Sequence, residues 1–246
     1  MQHFVLWTAL ASVVLCGMMI VSLQWGSVEL SWRQVLSALG LASAPVAEIV
    51  KTIVIDLRLP RVLLAALTGA GLAIVGLLLQ TTTRNELADP FLFGLSSGAS
   101  AGAVLVITRF GDVLGPLTLP GSAFVGGILS ALAVMILFRV NQLRRAEQLI
   151  ICGLAVSFLF SALTSYLVFS GDQRAAGSLL FWSLGGLGLA RWDNLFIPLL
   201  SLALLSGFTL RRWRALDALL AGEQTACSLG VEVERLRSET FLCCAL

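Results

Sequence analysis

The sequence predicts an all-α protein, a polytopic bundle of transmembrane helices with six complete spans and the start of a seventh. Two observations predict this fold class. Hydrophobic residues make up 58% of the 246 residues and charged residues only 12%, whereas soluble domains are about half apolar and a quarter charged. The apolar residues also form blocks close to the ~20 residues that cross a hydrocarbon core. A water-soluble fold of this size could not cover itself with so few charges.

The predicted spans follow one another with polar connections between them. The first, at residues 4–23, contains no charge. A signal peptide would need a basic n-region and a shorter apolar core, so we interpret this block as an anchored span. The other complete spans are predicted at residues 61–80, 91–108, 119–138, 149–169 and 194–210, and a partial span at 241–246. All belong to a single transmembrane domain over residues 1–246, which we expect to be incomplete at its C-terminus.

Smaller signals refine the connections. Ser31 is expected to cap a short helix in the first connection, and Pro60 to stand in the first turn of the second span. Residues 170–192 are partly apolar but rich in glycine, which favours an interfacial or re-entrant helix buried in protein. Arginines cluster at 144–145 and 211–214, on the side that the N-terminus shares. The positive-inside rule therefore predicts a cytoplasmic N-terminus.

Glycines recur in the second and third predicted spans. Gly69 and Gly76 lie in the second, and Gly94, Gly98 and Gly102 follow at four-residue spacing in the third. Small residues at such spacing let helix backbones approach closely in lipid. We therefore expect these glycines to pack helices together. The alternative is that they leave room for a bulky substrate beside the helices.

Several motifs go beyond a generic membrane protein. Residues 56–61 read DLRLPR, residues 80–90 read QTTTRNELADP and residues 93–99 read FGLSSGA; two later stretches are FWSLGG at 181–186 and SLGVEVER at 228–235. In this order and spacing they resemble the FecCD family, the permease subunits of bacterial ABC importers for ferric siderophores, haem and cobalamin. Glu86 stands where the family usually has proline. The family fold has ten spans, and its glycine-rich coupling segment, which ends in a proline-histidine pair, does not occur here.

The resemblance implies roles for two groups of residues. Arg58 and Arg61 would lie at the extracytoplasmic mouth and dock acidic residues of a substrate-binding protein, because guanidinium groups pair well with carboxylates. The alternative is that they anchor a helix end, with Asp56 as a partner.

The second group would form a cytoplasmic turn that borders the mouth of the pathway. It comprises Arg84, Asn85, Asp89 and Pro90. Capping of the next helix by Asp89 and a contribution to gating are both open.

The resemblance also implies a permease subunit that translocates an iron chelate or cobalamin across the bacterial inner membrane and is not itself an enzyme. Its expected partners are membrane lipid, a second permease copy (in a homodimer or with a related permease), an ABC ATPase dimer and a periplasmic or lipid-anchored binding protein. ATP would be used on the ATPase, since the only lysine, Lys51, is not part of a P-loop. No catalytic, cofactor or metal site is predicted on this chain, and no basic run suggests nucleic acid.

Two other hypotheses remain at this stage. The chain is a non-functional truncated fragment of such a permease, or it is an ATP-independent carrier or membrane scaffold. The absence of a charged residue in the middle of any predicted span disfavours a proton-coupled carrier.

Overall fold

The computed structural model describes residues 2–43, 45–110, 118–140, 146–171, 184–188 and 190–245. The described residues form helices α1 (Gln2–Gln24), α2 (Trp32–Ala38), α3 (Glu48–Thr52), α4 (Leu59–Thr83), α5 (Leu95–Leu105), α6 (Thr118–Val140), α7 (Ala146–Ser170), α8 (Phe196–Leu220), α9 (Glu223–Ser228) and α10 (Val233–Cys243). Short 3₁₀ helices lie at Pro90–Phe93 and Trp192–Asn194, and π-helical turns at Ile53–Arg58 and Val106–Phe110. The predicted all-α fold class is confirmed.

Five helices in this part of the chain are long and apolar enough to cross a membrane, where the sequence predicted six complete spans. They are Val5–Gln24, Glu48–Thr83, Thr118–Val140, Glu147–Ser170 and Trp192–Leu220. The exception is the predicted span at 91–108, because the apolar helix there, Leu95–Phe110, is shorter than 18 residues. Gly94, with φ of 79°, separates it from the 3₁₀ helix before it. This left-handed residue stops the span from beginning at 91.

The second span is longer than predicted. It runs unbroken for 36 residues from Glu48 to Thr83, so Pro60 lies inside it and not in its first turn. The π-helical segment Ile53–Arg58 explains how the helix tolerates proline. The amide of Leu59 bonds to the carbonyl of Val54 instead of Ile55, and Pro60 has no N–H to offer the Ile55 carbonyl. The indole N–H of Trp192 donates a hydrogen bond to the Ile55 carbonyl instead, with 3.1 Å between the nitrogen and the oxygen.

The described residues divide into two compact units. The first comprises Met1–Ala70 and Gly186–Leu200. Its buried core is a small cluster formed by Leu23, Leu30, Val35, Ala38, Val50 and Val54. Ser31 caps α2 as predicted, and with Gln34 it forms a complete capping box. Most of α1 lies outside this core, since its apolar side chains are largely exposed.

The second unit comprises Gly71–Gly185 and Ser201–Leu246. Its larger core draws on the C-terminal half of α4 and on α5, α6, α7, α8 and α10. Phe93 and Phe241, both fully buried, pack edge to face with ring centroids 5.6 Å apart. Between spanning helices such a core is stabilised by close van der Waals packing, and aromatic pairs in this arrangement add to it.

Two predicted segments remain. The apolar block at 241–246 was expected to begin a seventh span, but α10 begins at Val233, and Phe241 and Leu242 lie in its last turn. The helix that contains this block therefore begins before it and takes its buried face from Val233 and Leu236 onward. The partial seventh span itself stays a prediction. The predicted re-entrant helix within 170–192 falls largely on residues 172–183 and 189, which lie outside the described residues.

Candidate functional site

Arg58 is buried within the first unit, only 8% exposed. Its guanidinium donates hydrogen bonds to the carbonyl oxygens of Leu23 at 2.7 Å and Gln24 at 2.6 Å, and also to that of Val28. Leu23 and Gln24 end α1, so two of these acceptors are carbonyls that the helix itself leaves unpaired. A cation at a helix C-terminus is also favoured by the helix dipole. Arg58 therefore serves as a C-terminal cap for α1, a contact that the sequence did not predict.

Arg61, one turn further along, is placed differently. Its side chain is exposed and, among the described residues, makes one long hydrogen bond, 3.5 Å to the carbonyl of Gly188. It borders a groove of about 660 Å³ between α1 and the first turns of α4. The groove wall is mostly apolar and includes Leu15, Met18, Met19, Val62, Ala65 and Ala66. Among the described residues Asp56 forms no ion pair with either arginine. Of the two predicted docking residues, only Arg61 has an accessible guanidinium.

The predicted cytoplasmic turn begins with a Schellman motif at the end of α4. The amide of Arg84 bonds to the carbonyl of Thr81 at 3.3 Å, and that of Asn85 to the carbonyl of Gln80 at 3.2 Å. Arg84 occupies the left-handed position of this motif, with φ of 51°. Glycine is the usual residue at that position because it lacks a Cβ. Arg84 therefore adopts a backbone conformation that is less favourable for arginine than for glycine.

The rest of the turn is held by side-chain caps. Asn85 Oδ1 accepts from the amide of Leu87 at 2.9 Å, and Asp89 Oδ1 accepts from the amide of Phe91 at 2.8 Å. Pro90 occupies the first position of the 3₁₀ helix that Asp89 caps. The capping role of Asp89 is therefore present in the structure, and all four predicted residues lie in one continuous turn.

The predicted packing glycines fall into two groups, and the first joins α5 to α6. A Cβ at Gly98 would lie 2.5 Å from the carbonyl oxygen of Gly126, and one at Gly102 would lie 3.2 Å from the Cα of Gly126. Gly94 precedes them at the start of α5, where its carbonyl accepts a buried hydrogen bond of 2.6 Å from Ser130 Oγ. Backbone meets backbone along this face, so side chains larger than hydrogen do not fit.

The second group, Gly69 and Gly76 on α4, makes no such close contact with the residues that the structure describes. No atom of the described residues lies within 4 Å of a Cβ built at either position. The packing role predicted for these two glycines therefore stays a prediction, as does the alternative that they leave room for a substrate. A spacing pattern gives the face of a helix, whereas close approach depends on which element lies opposite.

A buried polar cluster in the second unit was missed in the sequence. Arg237 of α10 is 1% exposed. It donates to Glu223 Oε1 at 2.6 Å and to the carbonyl of Thr82 at 3.4 Å. It thus ties α10 to α9 and to the C-terminal turn of α4. The signal was the helical spacing of Val233, Leu236 and Phe241, which puts residue 237 on the same buried face.

A second ion pair lies close by in sequence. Glu239 accepts from Arg212 at 2.5 Å and from Arg235 at 2.9 Å. Burial alone would raise the pKa of Glu239, but hydrogen bonds and the positive charges of Arg235 and Arg212 outweigh it and lower this pKa below its ordinary value. The carboxylate therefore stays ionised and links α8 to α10 at neutral pH.

These features offer contacts that bind and position other groups. Within the residues that the structure describes, no cluster of three or more His, Cys, Asp or Glu side chains could hold a metal ion. The arrangement offers one exposed arginine beside an apolar groove, a rigid capped turn and a tightly packed helix pair.

Comparison with known proteins gives the context for this geometry. The sequence model of the FecCD transport family matches residues 13–246. The cobalamin import system permease protein BtuC of Halobacterium salinarum is 36% identical over 192 residues, 78% of this chain and 51% of the relative. The ferric enterobactin transport system permease protein FepG of Escherichia coli is 35% identical over 218 residues, 87% of this chain and 63% of the relative. This chain therefore spans less than two thirds of the length of these curated relatives.

A solved structure is similar as well. It is an ABC transporter of metal-chelate type in an inward-facing conformation, and it superposes with a TM-score of 0.79 at 29% identity. The match covers 95% of this chain and 70% of the solved chain.

Proposed function

The chain belongs to the FecCD transport family, and from this premise we propose that it is the membrane-spanning permease subunit of an ABC importer for a metal chelate or cobalamin. The observation that carries the proposal is the family match over residues 13–246, together with the similarity to a metal-chelate type ABC transporter. The five long apolar helices fit a multi-pass protein. The chain itself carries out no covalent step, and ATP is hydrolysed on a separate ATPase dimer.

The proposed assembly has two permease copies, the ATPase dimer and a substrate-binding protein outside the bacterial inner membrane. In this arrangement the shorter apolar helix Leu95–Phe110 also crosses the membrane, as the sixth predicted span, so that the end of α8 and the N-terminus lie on the same side. The arginines at 211–214, at the end of α8, support a cytoplasmic location for that side. The turn formed by Arg84, Asn85, Asp89 and Pro90 then lies on the cytoplasmic side. Because side chains cap its backbone amides, we expect this turn to hold one shape where it borders the mouth of the pathway.

Arg61 is the residue that we propose for docking the binding protein. Its guanidinium is exposed at the end of α4 opposite to the cytoplasmic turn. Within the described part of the chain it makes one long hydrogen bond, which leaves donors for a carboxylate. Arg58 does not share this role, since its donors are taken by the carbonyls at the end of α1. Its contribution is to hold α1 beside the docking residue.

The test is ATP hydrolysis in proteoliposomes that contain this chain with the ABC ATPase and the chelate-binding protein of the same organism. We expect hydrolysis to rise when the binding protein is loaded with its ferric siderophore, haem or cobalamin. Absence of stimulation by every loaded binding protein would favour the rival hypothesis, a chain that inserts in the membrane but does not transport. Uptake that continues without the ATPase would instead favour an ATP-independent carrier.

Docking is tested by charge reversal. Arg61→Glu should weaken binding-protein affinity at least tenfold, because it replaces an attraction with a repulsion at the contact. Arg33→Glu, an exposed arginine on α2 of the same unit, is the matched control and should leave the affinity near that of the wild type. Equal affinities for the two variants would exclude Arg61 as the docking residue.

A further inference from the structure

One exposed face of α8 changes from apolar to cationic within a few residues. Leu204 is 50% exposed and Leu210 is 74% exposed. Between them, Gly207 has no described atom within 4 Å of the position of a Cβ. Arg211 and Arg214 continue the same face and are also exposed. We call these five residues the α8 stripe.

The two arginines of the stripe differ from their neighbour Arg212. Arg212 is neutralised by Glu239 at 2.5 Å, whereas Arg211 and Arg214 form no ion pair in the described part of the chain. They are three residues apart on one helix, so their like charges lie side by side and repel each other. Asp217 follows one turn later and does not pair with Arg214 among those residues. An external anion would relieve the repulsion.

A tryptophan lies beside the arginines. The guanidinium of Arg214 stands 5.3 Å from the ring centroid of Trp213, which is 52% exposed. A cation over an indole face is held in place by the ring quadrupole. Tryptophan also favours the headgroup level of a bilayer, where its ring is half in the apolar layer and half in water. The stripe therefore meets lipid headgroups at its arginine end.

We propose that the α8 stripe binds one anionic phospholipid. Its phosphate lies between the guanidinium groups of Arg211 and Arg214, and one acyl chain runs along Leu210, Gly207 and Leu204. Guanidinium groups bind phosphate oxygens through paired hydrogen bonds. An acidic protein segment would fit the arginines, but it could not follow the stripe into the apolar part of the spanning helix Trp192–Leu220. The proposal requires only that α8 spans the membrane, and it does not depend on transport.

The experiment is native mass spectrometry of the full chain released from detergent, titrated with phosphatidylglycerol or phosphatidylcholine of the same acyl chains. The wild-type chain should bind one phosphatidylglycerol more tightly than phosphatidylcholine. The double variant Arg211→Gln/Arg214→Gln should weaken phosphatidylglycerol binding by about five- to thirtyfold, since a basic residue near an anionic surface contributes about a tenfold factor or less. Phosphatidylcholine binding should hardly change.

Two further variants separate charge from structure. Arg211→Lys/Arg214→Lys keeps both charges and should keep most of the preference. Arg191→Gln removes an exposed arginine that also stands beside a tryptophan, at the other end of the same spanning helix, and should leave the preference intact. The proposal is overturned if the wild type does not prefer the anionic lipid, if the double glutamine variant retains the preference, or if Arg191→Gln loses as much of it.

Discussion

The glycines of α4 and α5 allow a sharp test of the packing, because the sequence treats them alike and the structure does not. The paired perturbations are Gly98→Ala on α5 and Gly76→Ala on α4. Each adds one methyl group inside a helix, where alanine is intrinsically favoured over glycine by about 1 kcal/mol. Any difference between the two variants therefore reports the surroundings of the methyl group.

The magnitude follows from the distances. At Gly98 the new methyl would lie 2.5 Å from the Gly126 carbonyl oxygen and would also meet Ser130 Cβ, so backbone must move. Overpacking of this kind costs about 1–3 kcal/mol, which exceeds the gain in helix propensity. At Gly76 no described atom lies within 4 Å, so that variant should keep the propensity gain. We expect Gly98→Ala to be less stable than the wild type, and Gly76→Ala to be as stable or slightly more so.

The assay is thermal unfolding in detergent micelles, followed by circular dichroism. A loss of 1 kcal/mol lowers the Tm of a chain of this size by about 2–4 °C, so Gly98→Ala should unfold several degrees early. Gly126→Ala tests the same contact from α6, because its methyl would meet the Gly98 carbonyl oxygen. If Gly98→Ala and Gly76→Ala shift the Tm equally, the close α5–α6 contact is refuted.

Two other predictions concern charged side chains. Arg58→Met removes the guanidinium that caps α1. Because a hydrogen bond from a charged donor contributes about 1.5–3 kcal/mol, the free energy of unfolding in denaturant should fall by at least that much, and a protease should cut the chain after α1 more rapidly. The control variant Arg61→Met should change neither the unfolding free energy nor the cleavage rate. Arg235 and Arg212 lower the pKa of Glu239 below its ordinary value of 4.5. The ion pairs therefore stabilise the folded state fully when the pH is above 4.5, and this stabilisation is lost as the pH falls through the lowered pKa. Glu239→Gln should therefore lower the Tm at neutral pH and reduce its further decline under acid, and identical Tm profiles from pH 7 to pH 3 would contradict the ion pair.

The sequence predicted the features that depend on local chemistry. Apolar blocks predicted five of the spanning helices. Capping was predicted for Ser31 and was one of two roles left open for Asp89, because a capping side chain bonds to amides only two or three residues away. The same reasoning could not separate Gly98 from Gly76. Both have the right spacing, but of the two only Gly98 lies opposite another backbone among the described residues.

The charged residues were harder to predict. Arg58 has the motif of a docking arginine, yet its partners lie 30 to 35 residues away in the chain. Arg237 pairs with Thr82 across 155 residues. Hydropathy assigns an arginine to the surface by default, and a long-range carbonyl or carboxylate partner leaves no trace in local sequence. For Arg237, the apolar spacing along α10 was the one feature of the sequence that indicated burial.

The π-helical segment at Ile53–Arg58 has a consequence for the orientation of the side chains around it. A π turn holds one more residue than an α turn, and each residue of an α-helix advances the side chain by about 100°. The part of the span before the segment is therefore rotated by about that angle relative to an uninterrupted α-helix. If the wide turn moves by one residue, one amide changes its carbonyl partner while the helices on either side stay intact. The long span thus contains a point at which the helical register is offset by one residue, and this offset sets which way the side chains before residue 53 face relative to those after residue 58.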